Sequence, residues 1–491
     1  MSCLSSFDSE AVAFDSVSDD KKPMRTNSSQ TTEFNEGGMS TQTNTSKDIG
    51  CLAQPEDVKP AEAMEYPPPG LNEFLRKVVP AMMDQLDQNN TEFLNNSSDS
   101  DEEEVLGARL FQEMQLKDGI GAGDHETSIL GVTWSSAGNS LAVSIGQLHH
   151  ETFCQTSGII KVFTLKRSED KFVHSLDISE NNCVTVLKYH PNVAALLAYG
   201  TTSGEVVLCN LRNGSLDEGT QLTSPAGCHG SRRVSGLQWA DAPLANIYLL
   251  MQIHNKGKRR GAADQVLFSS GCDGTLNAWQ VNSYSKVFEN IICYNINGSK
   301  KMPVPDITCF DFFKSYPLRS AEEKSYNDVF VVGDRSGQLF LCKITPQIDN
   351  DPVYEVLQPH GTCVLDISFS FQKPGIFVSI SMDSEVRVYD INQNSPLKII
   401  CLDIPISCMS WLCSPCVLLG LAGCDELLRV YNICSGRVVP VSGLAGNATV
   451  TCVAVNQSGS CRIAAGDSSG TLHIYELPSR RIKLTADDLD F

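Results

Sequence analysis

The chain has 491 residues and a formal charge of −20, unevenly placed: the first 128 residues hold nine Lys/Arg against twenty-five Asp/Glu, a balance of −16. That length allows one large domain and a substantial tail. A near-neutral body with an acidic arm argues against nucleic acid as the main partner, since phosphate binding calls for a basic face. Residues 1–20 lack the basic start and apolar run of a secretory leader, and no stretch of about 18 apolar residues is present to span a bilayer. A soluble intracellular protein, without a membrane partner, is expected.

In chain order, residues 1–65 are rich in Ser, Thr, Asn, Asp and Glu with few aromatics. They cannot bury enough apolar area to offset chain entropy and are expected to be disordered. Two short strings stand out there, Ser29-Gln30-Thr31 and Thr41-Gln42-Thr43. After Pro67-Pro68-Pro69-Gly70, the apolar residues Leu71, Phe74, Leu75, Val78, Val79, Met82 and Leu86 trace one helical stripe. A lone helix of this length is marginal in water, so the stripe needs a partner, either this chain's own globular part or another protein. The disorder before it and the acidic spacer after it favour another protein. Pro80 interrupts the stripe, and a proline inside a helix costs about 3 kcal/mol or kinks it, so two short helices meeting at Val79-Pro80 are an alternative.

The spacer runs Ser97-Ser98-Asp99-Ser100-Asp101-Glu102-Glu103-Glu104. Ser100 with Glu103 fits a capping box for a second amphipathic helical segment over Leu106, Leu110, Phe111 and Met114. Phosphorylation of Ser98 or Ser100 would reinforce that helix start; a plain solvated charge run is the simpler reading. Gly119-Ile120-Gly121-Ala122-Gly123 follows no strand and lacks a Lys-Ser/Thr ending, so it reads as a linker rather than a phosphate loop. Residues 66–127 are thus taken as amphipathic helices and an acidic linker.

From Ser128 a unit repeats seven times. The strand after its turn closes on Phe163, Cys209, Trp279, Cys342, Tyr389, Tyr431 or Tyr475, and six positions earlier stands Ser157, Ser203, Asp273, Ser336, Asp383, Asp425 or Ser469. The next position is Gly158, Gly204, Gly274, Gly337, Ser384, Glu426 or Gly470. Ser-Gly and Asp-Gly suit a tight two-residue hairpin, because glycine takes positive φ at no steric cost. Spacings between closing residues are 46, 70, 63, 47, 42 and 44, most of them near the 40–45 residues of a propeller blade. The two long ones imply inserted loops. An upstream strand accompanies each unit: Ile129–Trp134, Val184–Tyr189, Val234–Trp239, Ile307–Phe312, Val364–Phe369, Ile406–Trp411 and Val450–Val455. This register resembles the WD-repeat family, in which four-stranded blades stand radially around a channel. The literal Trp-Asp dipeptide is absent, Tyr389-Asp390 being the nearest match. The expected fold is all-β: a seven-bladed β-propeller over 128–478, a disordered acidic arm with short amphipathic helices before it, and a tail at 479–491.

Nineteen cysteines are scattered through apolar strands (Cys209, Cys309, Cys342, Cys452), where a free thiol behaves as a small hydrophobe. Cys413-Ser414-Pro415-Cys416 is the one CxxC; with no second pair at zinc spacing it reads as a turn. Lys256-Gly257-Lys258-Arg259-Arg260 reads as a solvated loop or, alternatively, as a nuclear signal or a contact for an acidic partner. His149 and His150, adjacent in the chain, point apart on a strand and do not share a metal. No nucleophile elbow, phosphate loop or HExxH occurs. No catalytic residue, metal or cofactor is therefore called for.

Taken together, the paired Gln-Thr strings, the Leu71–Leu86 stripe, Trp134, the Ser203-Gly204-Glu205-Val206 turn and Gly466–Leu477 followed by Asp487-Asp488-Leu489-Asp490 resemble the WD-repeat intermediate chains of dynein. The resemblance is to the shorter class of the second cytoplasmic dynein, the retrograde motor of intraflagellar transport. It implies that Ser29, Gln30 and Thr31, and Thr41, Gln42 and Thr43, are anchors for eight-kilodalton light-chain dimers, bound by strand addition. It further implies a roadblock-type light chain on Leu71, Phe74, Leu75, Val78, Val79, Met82 and Leu86, and a heavy chain gripped by the propeller through an unidentified surface. A second intermediate chain would complete the complex, in the cytoplasm, the cytoskeleton and the cilium, at axoneme and basal body. The alternatives are a WD-repeat adaptor in a nuclear or ubiquitin-ligase complex, and an intermediate chain of another dynein class.

Overall fold

A computed structural model describes residues 74–79, 106–116, 127–148, 157–212, 221–240, 244–245, 264–283, 286–297, 303–313, 328–344, 350–370, 375–412, 418–423, 428–439, 441–444, 448–456 and 461–477. The chain divides into two compact units, Met1–Asp101 and Glu102–Phe491. Of the first, only a short helix over 74–79 is described.

Among the described residues, the second unit holds seven four-stranded antiparallel sheets. Each of the seven predicted upstream strands is the innermost of its sheet: Ser128–Trp134, Val184–Tyr189, Val234–Trp239, Ile307–Phe312, Val364–Phe369, Ile406–Trp411 and Val450–Val455. These inner strands lie side by side in chain order, and Val450–Val455 returns against Ser128–Trp134, so the ring closes. Six blades are continuous in the chain. The seventh takes its outermost strand, Arg109–Gln115, from the N-terminal side, paired antiparallel to Thr471–Glu476.

That strand corrects one expectation. The segment Leu106–Met114 is not a helix: Leu106–Gly107 pairs in parallel with Val441–Ser442, and Arg109–Gln115 fills the open edge of the last blade. The apolar spacing of Leu110, Phe111 and Met114 fits either period over so short a run. An unpaired edge decides it, since a row of free N–H and C=O groups is satisfied by pairing. The β-structure therefore takes in residues ahead of Ser128. A bulge between Leu110 and Gln112 turns the strand toward the first blade. There Phe111 meets Phe172 edge-on, Arg462 lies 4.1 Å over the Phe111 ring, and Gln112 both donates to Phe172 O and accepts from Phe172 N.

The closing residues Phe163, Cys209, Trp279, Cys342, Tyr389, Tyr431 and Tyr475 are all buried between blades. Hydroxyls on the inner strands tie neighbours together: Thr185 donates to Val234 O at 2.6 Å, Thr308 to Val364 O at 2.6 Å, and Thr451 to Ile129 O. At the other end of those strands, Trp134 Nε1 donates to Ala454 O and Trp239 Nε1 to Lys188 O, each in the preceding blade. Trp411 holds the same position, but its buried indole N–H has no partner.

The repeated turn also differs from expectation. Thr201 N donates to Glu205 O and Gly204 N to Thr201 O, closing a three-residue loop rather than a two-residue one. Only the glycine takes positive φ, +85° at Gly204, +81° at Gly274, +91° at Gly337 and +79° at Gly470. A two-residue type I′ turn would force the preceding Ser or Asp to positive φ as well; a type I turn followed by a left-handed glycine spares it. The long spacings arise from residues between Val234–Trp239 and Gln265–Gly271, and between Ile307–Phe312 and Val329–Asp334.

Candidate interaction surfaces

The helix over 74–79 carries four of the predicted light-chain residues. Phe74 and Val78, and Leu75 and Val79, stand four apart and so share faces. Phe74 is 60 % exposed; Leu75 and Val79 are exposed and Val78 half-buried. Pro80, the expected interruption of the stripe, lies outside the described residues. Leu71, Met82, Leu86 and both strings, Ser29, Gln30, Thr31 and Thr41, Gln42, Thr43, lie outside the described residues. So do the acidic spacer, His149, His150, Lys256–Arg260, Cys413 and Cys416. Among the described residues no helix is long and apolar enough to cross a membrane.

The ring presents one face built from the repeated turns and the loops that lead into each inner strand. Two blades brace that face with a buried histidine that the repeat alignment does not pick out. In the third blade His229 Nε2 pairs with Ser269 Oγ at 2.8 Å, and Trp279 Nε1 donates to the same oxygen at 2.8 Å. On the other side of the ring, His229 Nδ1 faces Thr275 Oγ1 at 3.0 Å and Asp273 Oδ1 at 3.5 Å. In the fifth blade His360 Nε2 pairs with Ser379 Oγ at 2.8 Å, while Nδ1 stands 3.7 Å from Asp383 Oδ2 without a hydrogen bond. Burial, and then the Arg387 charge, hold His360 down to about 4 against the pull of Asp383 and Glu385. The sequence signal was a His-Gly pair just ahead of an inner strand, His229-Gly230 and His360-Gly361.

His360, Asp383 and Glu385 lie close enough to share a cation, but their donors serve the turn. Glu385 Oε2 accepts from Arg387 Nε at 2.8 Å and Nη2 at 2.7 Å; Asp383 accepts from Gly361 N and Glu385 N. A guanidinium forked onto one prospective ligand opposes a metal ion there. The thiols are structural too: burial pushes Cys209 up to about 11 and Cys452 up to about 12, and raises Cys309 and Cys342. They are poor thiolates and poor ligands.

The ring and its turns define a WD-repeat β-propeller, and the family profile for the WD domain, G-beta repeat, matches residues 439–476. Beyond the ring, the chain is similar to dynein intermediate chains. It is 22% identical over 472 residues to cytoplasmic dynein 2 intermediate chain 2 of Mus musculus, covering 90% of this chain and 82% of that one. The Homo sapiens protein of the same name matches at 22% over 462 residues, 87% of this chain and 80% of its own. Ciliary dynein intermediate chain 2 of Heliocidaris crassispina is 22% identical over 325 residues, 64% of this chain but only 41% of its own length.

Proposed function

We propose that the chain is a non-catalytic intermediate chain of a ciliary dynein, holding light chains on its N-terminal arm and the motor heavy chain on its propeller, in support of retrograde intraflagellar transport. The observation that carries this is the similarity to cytoplasmic dynein 2 intermediate chain 2 across 90% of the chain, well beyond the propeller alone. The mechanism is assembly. Light-chain dimers clamp the arms of two intermediate chains, each ring holds one heavy chain, and tethering gives the whole a stability that no single contact supplies. The chain acts in the cytoplasm and on the cytoskeleton of the cilium, including axoneme and basal body.

Two paired substitutions test the arm. Gln30→Ala with Gln42→Ala abolishes pulldown of the eight-kilodalton light chain, and Leu75→Asp with Met82→Asp releases the roadblock-type chain, both with an unchanged melting profile. Undiminished pulldown refutes the corresponding site. Co-purification with a mass-spectrometric readout tests the motor assignment; a heavy chain absent from the tagged complex refutes it.

A further inference from the structure

The two most exposed large apolar side chains described on the ring, Val304 at 67 % and Met382 at 64 %, both lie on the turn face. Val304 sits over the third-blade turn at Gly274, and Met382 belongs to the fifth-blade turn. Between them, on the fourth-blade turn, the Arg335 side chain is 76 % exposed and pairs with Asp306 at 3.5 Å. Arg232 and Arg233 are exposed on the loop leading into the third blade. The loops and turns are stitched in series: Cys272 N donates to Arg233 O, Arg335 N to Asp306 O and Met382 N to Cys363 O. Beside Arg335 a cavity of about 300 Å³ is lined by Pro303, Val304, Pro305, Asp306 and Phe340.

We propose that the turn face across the third, fourth and fifth blades binds an acidic peptide carrying apolar residues on both sides of its carboxylates. Charge decides the class of partner. Asp273 accepts from Thr275, Asp334 from Ser336 and Gln338, and Asp383 from Gly361 and Glu385, so these carboxylates are turned back into their own turns. Among the described residues Asp306 answers Arg335, and a partner carboxylate competes with it for the guanidinium fork, the geometry that suits bidentate binding. Arg232, Arg233 and Arg335 are all exposed on this face, and a cluster of exposed guanidinium groups on a near-neutral ring selects for acid. Val304 at the cavity and Met382 one blade beyond the arginine give the flanking apolar residues somewhere to bury, and such anchors carry most of the affinity of a small interface. The adaptable thioether of Met382 accommodates more than one side chain.

The test uses the full-length protein and a fluorescein-labelled peptide of sequence Leu-Glu-Glu-Leu-Glu, read by fluorescence polarisation, with Leu-Lys-Lys-Leu-Lys as its counterpart. The acidic peptide binds and weakens with added salt, and the basic one does not bind. Arg233→Glu with Arg335→Glu weakens the acidic peptide by at least about tenfold, as reversal of interface charge does, and Val304→Ser with Met382→Ser weakens it several-fold. Arg335→Ala alone, which removes one exposed side chain, keeps the test valid should the double charge reversal disturb folding. No binding of the acidic peptide, equal binding of the basic one, or affinity unchanged in the folded variants overturns the proposal.

Discussion

The third and fifth blades carry one brace in two degrees of completion. In the third, Ser269 serves both His229 and Trp279, Thr275 stands against the far side of the histidine, and the turn ends on a left-handed glycine. In the fifth, Tyr389 replaces the tryptophan and turns its hydroxyl to Gln358 O, leaving Ser379 to His360 alone. Tyr389 instead stacks on Phe377 at 8°, so apolar contact takes over where the hydrogen bond is missing. Arg387, reaching Glu385 and Pro359 O, holds the turn from outside. The repeat thus fixes where a turn must be anchored, and packing decides how many polar groups do it.

The largest separation between the two blades comes from removing the shared hydroxyl. Ser269→Ala strands the buried Trp279 N–H and leaves His229 Nε2 only the long 3.5 Å approach of Asn277 Nδ2, at about 1–3 kcal/mol for each group, so a loss of about 3–4 kcal/mol is expected. Ser379→Ala strands only His360 and costs about 1–2 kcal/mol. Urea unfolding of both full-length variants measures the difference; equal losses would show that Trp279 draws nothing from Ser269.

Acid probes the fifth-blade brace next. His360 is held neutral, its value lowered to about 4 by burial first and Arg387 second, with Asp383 and Glu385 opposing. In the unfolded chain a histidine titrates near 6.5, so below that pH the unfolded state binds more protons and stability falls. The contribution is whole above about pH 6.5 and lost progressively down to about pH 4, at most about 3 kcal/mol. His360→Gln, which keeps a donor or acceptor for Ser379, flattens the stability profile between those limits; an unaltered slope assigns the acid sensitivity elsewhere.

Much of the ring was legible because its signals are local and redundant. Seven upstream strands and seven closing residues each follow from alternation and spacing, and a ring of blades cannot form with the register wrong by one. What escaped was set by tertiary contact. Nothing within residues 106–115 tells strand from helix, because the deciding partner, Thr471–Glu476, lies at the far end of the chain. The braces were hidden for a related reason: His229 and Ser269 are 40 residues apart, and neither is unusual alone. The exposure of Val304 and Met382 depends on which loop covers which turn, a property absent from any pattern. Of the residues predicted to carry a light chain, Phe74, Leu75, Val78 and Val79 stand on the helix described over 74–79.

The smallest effect is the most diagnostic of the turn itself. Ser384 occupies the place of Gly274 and Gly337 and takes φ +61°, with Ser384 N donating to Ser381 O as the glycines do to their own turns. A residue with a Cβ pays roughly 1–2 kcal/mol for the left-handed region, while glycine costs roughly 0.5–1 kcal/mol more chain entropy on folding. The balance favours glycine, so Ser384→Gly is expected to stabilise the chain by about 0.5–1 kcal/mol. The same substitution brings the fifth blade to the third's turn geometry without touching His360, so it leaves the acid profile unchanged in shape while raising it throughout. A variant that melts lower would mean that the Ser384 side chain contributes more to the turn than its backbone conformation costs.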